Sequence, residues 1–253
     1  MAEDWDVYRC TVDDAPASIY LDLGIAGKAP QSKRPHLLRI SFRLLTPNAE
    51  GLSDSGEAET LFEIEDVLFA AISKRLRARY VGRITTQGRR DHFYYGANAA
   101  GFDEAVREIQ SQFTGYEFTP TEQSDPDWET YFELLSPSDL DLQTIHTRRQ
   151  VESLIRQGED VSQPRDIDHW LYFPSEIARQ RFIEQISGQG FVWREFAEAD
   201  PVAEYAYGLV LVRRDQVELI SLDGLVTDLF LRAQNFGGVY TGWGQGLQDG
   251  ELE

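Results

Sequence analysis

A single cysteine, Cys10, and a single methionine occur among 253 residues. One thiol cannot close an intrachain disulfide or supply a Cys-rich zinc site, and its isolation fits a reducing compartment. Histidine is scarce as well: His36, His92, His146 and His169 show no H-x-x-x-H or H-E-x-x-H spacing, so no metal site is expected. Basic residues number 24 against 43 acidic ones, a formal net charge of -19. The excess is not a tail, since basic and acidic residues number 14 and 24 up to Leu140, and 10 and 19 beyond it. Such a field repels phosphate backbones and favours basic partners. The longest apolar run, around residues 209–212, is far short of the roughly 20 residues that a spanning helix needs. The opening MAEDWDVYRC has neither a basic lead nor an apolar core, so no signal peptide is expected. No Walker motif and no nucleophile elbow occur. The glycines of GWGQG, residues 242–246, follow a strand pattern but open no helix. No cofactor is expected.

What is present is ample material for two cores. The length suits two domains, and 42% hydrophobic with 12% aromatic residues fits folded structure. Residues 5–12 and 17–23 read as strands around the turn residues 13–16. Residues 24–35 read as loop. In 37–45, Leu38, Ile40, Phe42 and Leu44 alternate with Arg39, Ser41 and Arg43, the period of a half-buried strand. Leu61, Ile64, Leu68, Ile72 and Leu76 predict one long helix from Glu57, with basic residues crowding its end. A hairpin (80–86 and 91–96), a helix ending near Gly115 and a strand over 116–121 complete the first half. Trp128, Tyr131 and Phe132 are expected to anchor a connector over 124–139.

The second half repeats the order of elements behind an extra helix over 142–157. Its first strand is Arg-Asp-Ile-Asp-His-Trp-Leu-Tyr-Phe, 165–173, with Ile167, His169, Leu171 and Phe173 on one side and Asp168, Trp170 and Tyr172 on the other. Ser175 caps a helix; strands over 191–196 and 205–213 are joined through Ala199, Asp200 and Pro201. Leu222, Leu225, Val226, Leu229, Phe230 and Ala233 form a helical stripe, and 239–243 is a final strand. The expected fold class is α+β: two tandem ferredoxin-like (βαββαβ) sandwiches, residues 1–140 and 141–253, with antiparallel sheets and helices on one face.

The candidate chemistry is thin. His169 shares a face with apolar residues and is expected to be a core-edge histidine bonded to a backbone carbonyl, the alternative being an interface or acid–base role. Carboxylate pairs such as Glu63 with Asp66 and Asp166 with Asp168 are expected to be solvated. Trp170, Tyr172, Tyr205 and Tyr207 could stack bases as RNA-binding sheets do. No Lys/Arg-Gly-Phe motif accompanies them and the charge opposes it, so direct nucleic-acid contact is not expected.

The helix leading to Gly158-Glu159-Asp160, the strand Ile-Asp-His-Trp-Leu-Tyr-Phe-Pro, the pair Gly190-Phe191 and the terminal Gly-Gly-Val-Tyr-Thr-Gly-Trp-Gly carry a resemblance. The second half resembles the ribonuclease E inhibitor family, of the regulator of ribonuclease activity B type. That family carries Tyr-Asp-Gly-Trp where Thr241 here replaces the acid, and the tail 248–253 is less acidic than in the type member. The first half resembles an uncharacterised bacterial domain fused ahead of such modules, through Trp-Asp-Val-Tyr, Pro-Ala-Ser-Ile-Tyr-Leu-Asp-Leu-Gly, Ile-Glu-Asp-Val-Leu and Val-Gly-Arg-Ile-Thr-Thr-Gln-Gly-Arg-Arg-Asp-His-Phe-Tyr-Tyr.

The resemblance implies a non-enzymatic, cytoplasmic bacterial regulator that binds ribonuclease E through protein contacts, without membrane or direct nucleic-acid binding. The expected partner-binding residues are Trp170, Tyr172, Tyr240, Gly242 and Trp243, with core closure as the plain alternative for Trp243. The rival reading is an enzyme or anion-binding protein with a site in an interdomain cleft, lined by Arg83, Arg90 and His92.

Overall fold

A computed structural model describes residues 3–197 and 204–245. The expected turn at Ala199, Asp200 and Pro201, Gly246 and the tail 248–253 lie outside the described residues. The chain forms two units, Met1–Pro137 and Ser138–Glu253, of mixed α+β structure on two antiparallel sheets.

In the first unit, β1 (Trp5–Val12) and β2 (Ala15–Asp22) form a hairpin. Its turn holds Asp13 and Asp14 at φ 49 and 60, the left-handed pair that matches the twist of the flanking strands. A 3-10 turn, Leu23–Lys28, interrupts the expected loop. Next come β3 (His36–Arg43), α1 (Ala58–Leu68), β4 (Arg79–Thr86), β5 (Arg89–Gly96), α2 (Phe102–Gln110) and β6 (Thr119–Ser124). The sheet order is β1-β2-β4-β5-β3-β6. The hairpin joins at β4 because Gly82 lets the strands close: a Cβ there would stand 2.6 Å from the Tyr20 carbonyl oxygen.

The single long helix expected from Glu57 ends at Leu68 and passes into a π-helical segment, Phe69–Arg75. Leu61, Ile64, Leu68 and Ile72 all stay buried, because apolar spacing constrains the buried side but not the hydrogen-bond step. The second helix stops at Gln110, five residues before Gly115, and the strand expected over 116–121 is shifted to Thr119–Ser124. Both helices cover the face bearing Leu38, Ile40 and Phe42. On the other face, Trp128 stacks on Tyr95 with centroids 4.0 Å apart, and Tyr131 donates to the Asp22 carbonyl at 2.9 Å. Phe132 does not anchor this segment. It is 41% exposed and only meets Tyr131 edge-on.

The second unit begins with α3 (Asp139–Arg156), whose start is fixed by a capping box between Ser138 and Asp141. Then follow β7 (Arg165–Phe173), α4 (Glu176–Ile186), β8 (Val192–Ala197), β9 (Tyr207–Asp215), α5 (Leu219–Asn235) and β10 (Val239–Gln245). The order is β10-β7-β9-β8, with β7 central. Ile167, Leu171 and Phe173 pack with Leu209, Leu211 and the apolar sides of α4 and α5. Each such fully buried side chain contributes about 1.5–3 kcal/mol.

Candidate protein-binding groove of the second unit

The site is built by an irregularity in the edge strand β10. Tyr240 pairs with Leu171 and Gly242 with Trp170, so Thr241 is an extra residue, a β-bulge. In a regular strand, residues 240 and 243 would face opposite sides. The bulge resets the alternation and turns both Tyr240 and Trp243 into the core. Gly242 takes φ 147 at the bulge, and its Cα faces open space. The Thr241 hydroxyl donates to the Trp170 carbonyl at 3.2 Å.

Helix α3 runs along this edge and covers it. Gln143 Nε2 donates to the Tyr240 carbonyl at 3.5 Å and Gln150 Nε2 to that of Trp243 at 3.2 Å. Between them, the Trp243 indole N–H donates to the Thr147 hydroxyl at 3.2 Å. Residues 143, 147 and 150 lie on one helix face by their spacing. Edge carbonyls that would otherwise invite a foreign strand are thereby occupied. A groove of about 350 Å3 remains, lined by His146 and Arg149 of α3, by Trp170 of β7 and by Thr241, Gly242 and Trp243.

The sequence points to five residues for partner binding. Trp170, Gly242 and Trp243 come together in the groove; Tyr172 and Tyr240 do not line it. Trp170 and Tyr172 are half-buried on the sheet face turned from the helices, and Gly244 makes room for Trp170, since a Cβ there would stand 3.0 Å from the indole ring. Tyr240 and Trp243 are 3% and 5% exposed and belong to the core; of the two only Trp243 reaches the groove, from beneath. Tyr205 and Tyr207 do not extend this aromatic face: Tyr205 precedes β9, and Tyr207 pairs with Phe173 on the helix side, with the Arg179 guanidinium 5.7 Å from its ring.

His169 is buried, as its apolar neighbours imply, but its partner is not a backbone carbonyl. Nδ1 lies 2.9 Å from the Tyr240 hydroxyl. Burial, reinforced by the nearby Arg213 cation, pushes its pKa down to about 4. Burial likewise pushes the Tyr240 phenol up. Asp168 is not solvated either. It is 3% exposed, its carboxyl is raised by burial, and Arg194, 3.6 Å away, acts in the opposite direction.

Arg83, Arg90 and His92 belong to the interior of the first unit. Arg83 Nη1 donates to both Glu65 oxygens at 2.7 and 2.8 Å, and the Tyr80 hydroxyl donates to Glu65 at 2.9 Å while standing 3.2 Å from His92 Nδ1. Arg90 donates to Thr85 at 2.9 Å and Ser53 at 3.2 Å. Burial lowers the Arg90 pKa to about 10 and holds that of His92 well below its ordinary value, and Arg83 adds to both effects. This network ties α1 to the sheet. Among the described residues, no group of three or more His, Cys, Asp or Glu could hold a metal ion. No helix among them is long and apolar enough to cross a membrane.

Residues 3–136, more than half of the chain, match a family of unknown function, DUF695. The chain belongs to the DUF695 family. In this DUF695 protein a second match follows: residues 144–245 match Regulator of ribonuclease activity B. That stretch runs from within α3 to the end of β10 and therefore includes the whole groove lining from His146 onward. No curated protein matches the chain. The two-part resemblance read from the sequence is the one found, and the second family is one of regulators of a ribonuclease. The helix expected over 142–157 is α3, whereas the bulge that it covers does not show in the alternation of β10, although Gly242 next to Thr241 is the signal for it.

Proposed function

We propose that this chain is a non-catalytic regulator that binds ribonuclease E, or a related RNA-degrading assembly, in the bacterial cytoplasm and lowers its activity. The observation that carries this reading is the match of residues 144–245 to Regulator of ribonuclease activity B. The proposed contact surface is the groove of the second unit: Trp170 and Gly242 touch the partner, Tyr172 extends the aromatic face, and Tyr240 and Trp243 hold the bulged strand beneath. Two half-buried aromatics beside an open glycine suit an anchor for a peptide segment. The groove lining carries no carboxylate. Attraction of a basic segment is therefore assigned to the field of the whole chain, at net charge -19.

Each unit is proposed to be a ferredoxin-like sandwich, residues 1–140 and 141–253. Support comes from the strand orders. Numbered within its own βαββαβ run, each set reads fourth, first, third, second: β10-β7-β9-β8 in one, β6-β3-β5-β4 in the other. The hairpin β1-β2 is an addition at the β4 edge.

The test mixes the purified full chain with ribonuclease E and measures both binding and the rate of RNA cleavage. The expected result is micromolar or tighter binding at low salt with slower cleavage. No binding at micromolar concentration and low salt overturns the proposal.

A further inference from the structure

We propose that the first unit carries a binding site for a small phosphate-bearing molecule, in a groove on the exposed side of β3. The inference is independent of the ribonuclease reading, which concerns the second unit. Arg39, Ser41 and Arg43 alternate along β3 and so share a face. At about 3.4 Å per residue, the two arginines are spaced by roughly 14 Å. Arg89 of β5 stands opposite Arg43, and Thr119 of β6 opposite Ser41. These five residues line one groove of about 490 Å3, within the range of small-ligand sites.

The charges decide what the groove suits. Its ionisable lining is three arginines and one carboxylate, Glu117, in a chain whose overall charge is strongly negative. Arg89 is paired with Asp91 at 3.0 Å, and Arg39 donates to the Thr121 hydroxyl at 3.3 Å. Arg43 is exposed and has no ion pair among the described residues. Its fork remains open to a bidentate oxyanion. Ser41 lies between the two arginines, 9% exposed, and its hydroxyl has no hydrogen-bond partner among the described residues. A buried hydroxyl without a partner costs free energy that an acceptor oxygen would recover. No exposed aromatic lines the groove, so it lacks the stacking platform that a single-stranded nucleic acid would use.

The experiment is calorimetric titration of the full chain at low salt with inorganic pyrophosphate and with adenosine triphosphate, against citrate and a single-stranded RNA of about ten nucleotides. Binding of either phosphate compound with a Kd below 1 mM, weakened at least ten-fold in Arg43→Glu and measurably in Ser41→Ala, is the expected result. Circular dichroism confirms that both variants are folded; should Ser41→Ala fail to fold, the exposed Arg43→Glu decides alone. The proposal is overturned by no binding at 1 mM, by equal binding in Arg43→Glu, by citrate binding as tightly as the phosphates, or by RNA binding without small phosphates.

Discussion

The Tyr240 hydroxyl lies 2.9 Å from His169 Nδ1 inside the second unit, joining the edge strand β10 to the central strand β7. A neutral ring can accept the phenol proton at Nδ1. That tautomer already carries its N–H at Nε2, which has no partner among the described residues, and protonation would add an N–H at Nδ1 facing the phenol oxygen and bury a charge. Burial is the main cause that holds the pKa at about 4, below the roughly 6.5 of an unfolded chain. The unfolded chain therefore takes up this proton first as pH falls. Stability from this site is complete above about pH 6.5 and is lost on descending towards pH 4, by about 3 kcal/mol in total. His92, also held low by burial, adds in the same direction. Urea unfolding at pH 7, 6 and 5 should show stability falling with pH. His169→Gln should lower stability at pH 7 and flatten that fall; an unchanged slope in the variant would show that the ring titrates alike in the folded and unfolded chain.

The indole of Trp243 has one polar atom, and Thr147 is its acceptor at 3.2 Å. Thr147→Val keeps the volume and removes the acceptor, leaving a buried N–H without a partner. The expected cost is about 1–2 kcal/mol. Trp243→Ala should cost more, about 3–5 kcal/mol, because it opens a cavity. Denaturant midpoints of the second unit's transition check both. Equal costs would mean that the hydrogen bond, and not packing, holds β10.

At Gly82 two strands approach too closely for any side chain. An added Cβ would stand 2.6 Å from a backbone oxygen, which cannot rotate away as a side chain can. Gly82→Ala should therefore separate β2 from β4 and destabilise the first unit by about 2 kcal/mol or more. Amide exchange should accelerate along Ala17–Leu21 while β7 and β9 stay protected. An unperturbed exchange pattern would contradict the close approach.

The contrast between β7 and the hairpin shows what one sequence can reveal. The run 165–173 alternates cleanly, and the strand occupies Arg165–Phe173 with the expected residues inward. The stripe from Leu222 to Ala233 likewise sits on α5. Both are local patterns with one buried side. The pairing of β2 with β4 is not local, since it depends on a missing side chain some 60 residues away. The π-helical segment was also hidden, because an apolar spacing of three or four fits either helix. Asp168 departs from the solvated expectation for a related reason: acidity is a property of the residue, and burial is a property of the sheet around it. Tyr240 and Trp243 were read as one motif, but alternation alone puts them on opposite faces. Only the bulge at Thr241 puts them together.

Thr241 is where this chain departs from the Tyr-Asp-Gly-Trp pattern of the family that its second unit resembles. Its hydroxyl is a donor to the Trp170 carbonyl. A carboxylate is acceptor-only, so Thr241→Asp breaks that bond and sets two acceptors facing one another. Because residue 241 is exposed, the variant carboxylate can turn to solvent, and the stability cost should stay near 1 kcal/mol. The effect on binding should run the other way. An added negative charge at the groove should favour a basic segment and tighten binding to ribonuclease E several-fold at low salt, with the gain shrinking as salt rises. Titration of both forms at two ionic strengths separates the effects. Equal affinities at low salt would remove residue 241 from the proposed interface, whereas a gain that persists at high salt would point to a contact other than charge.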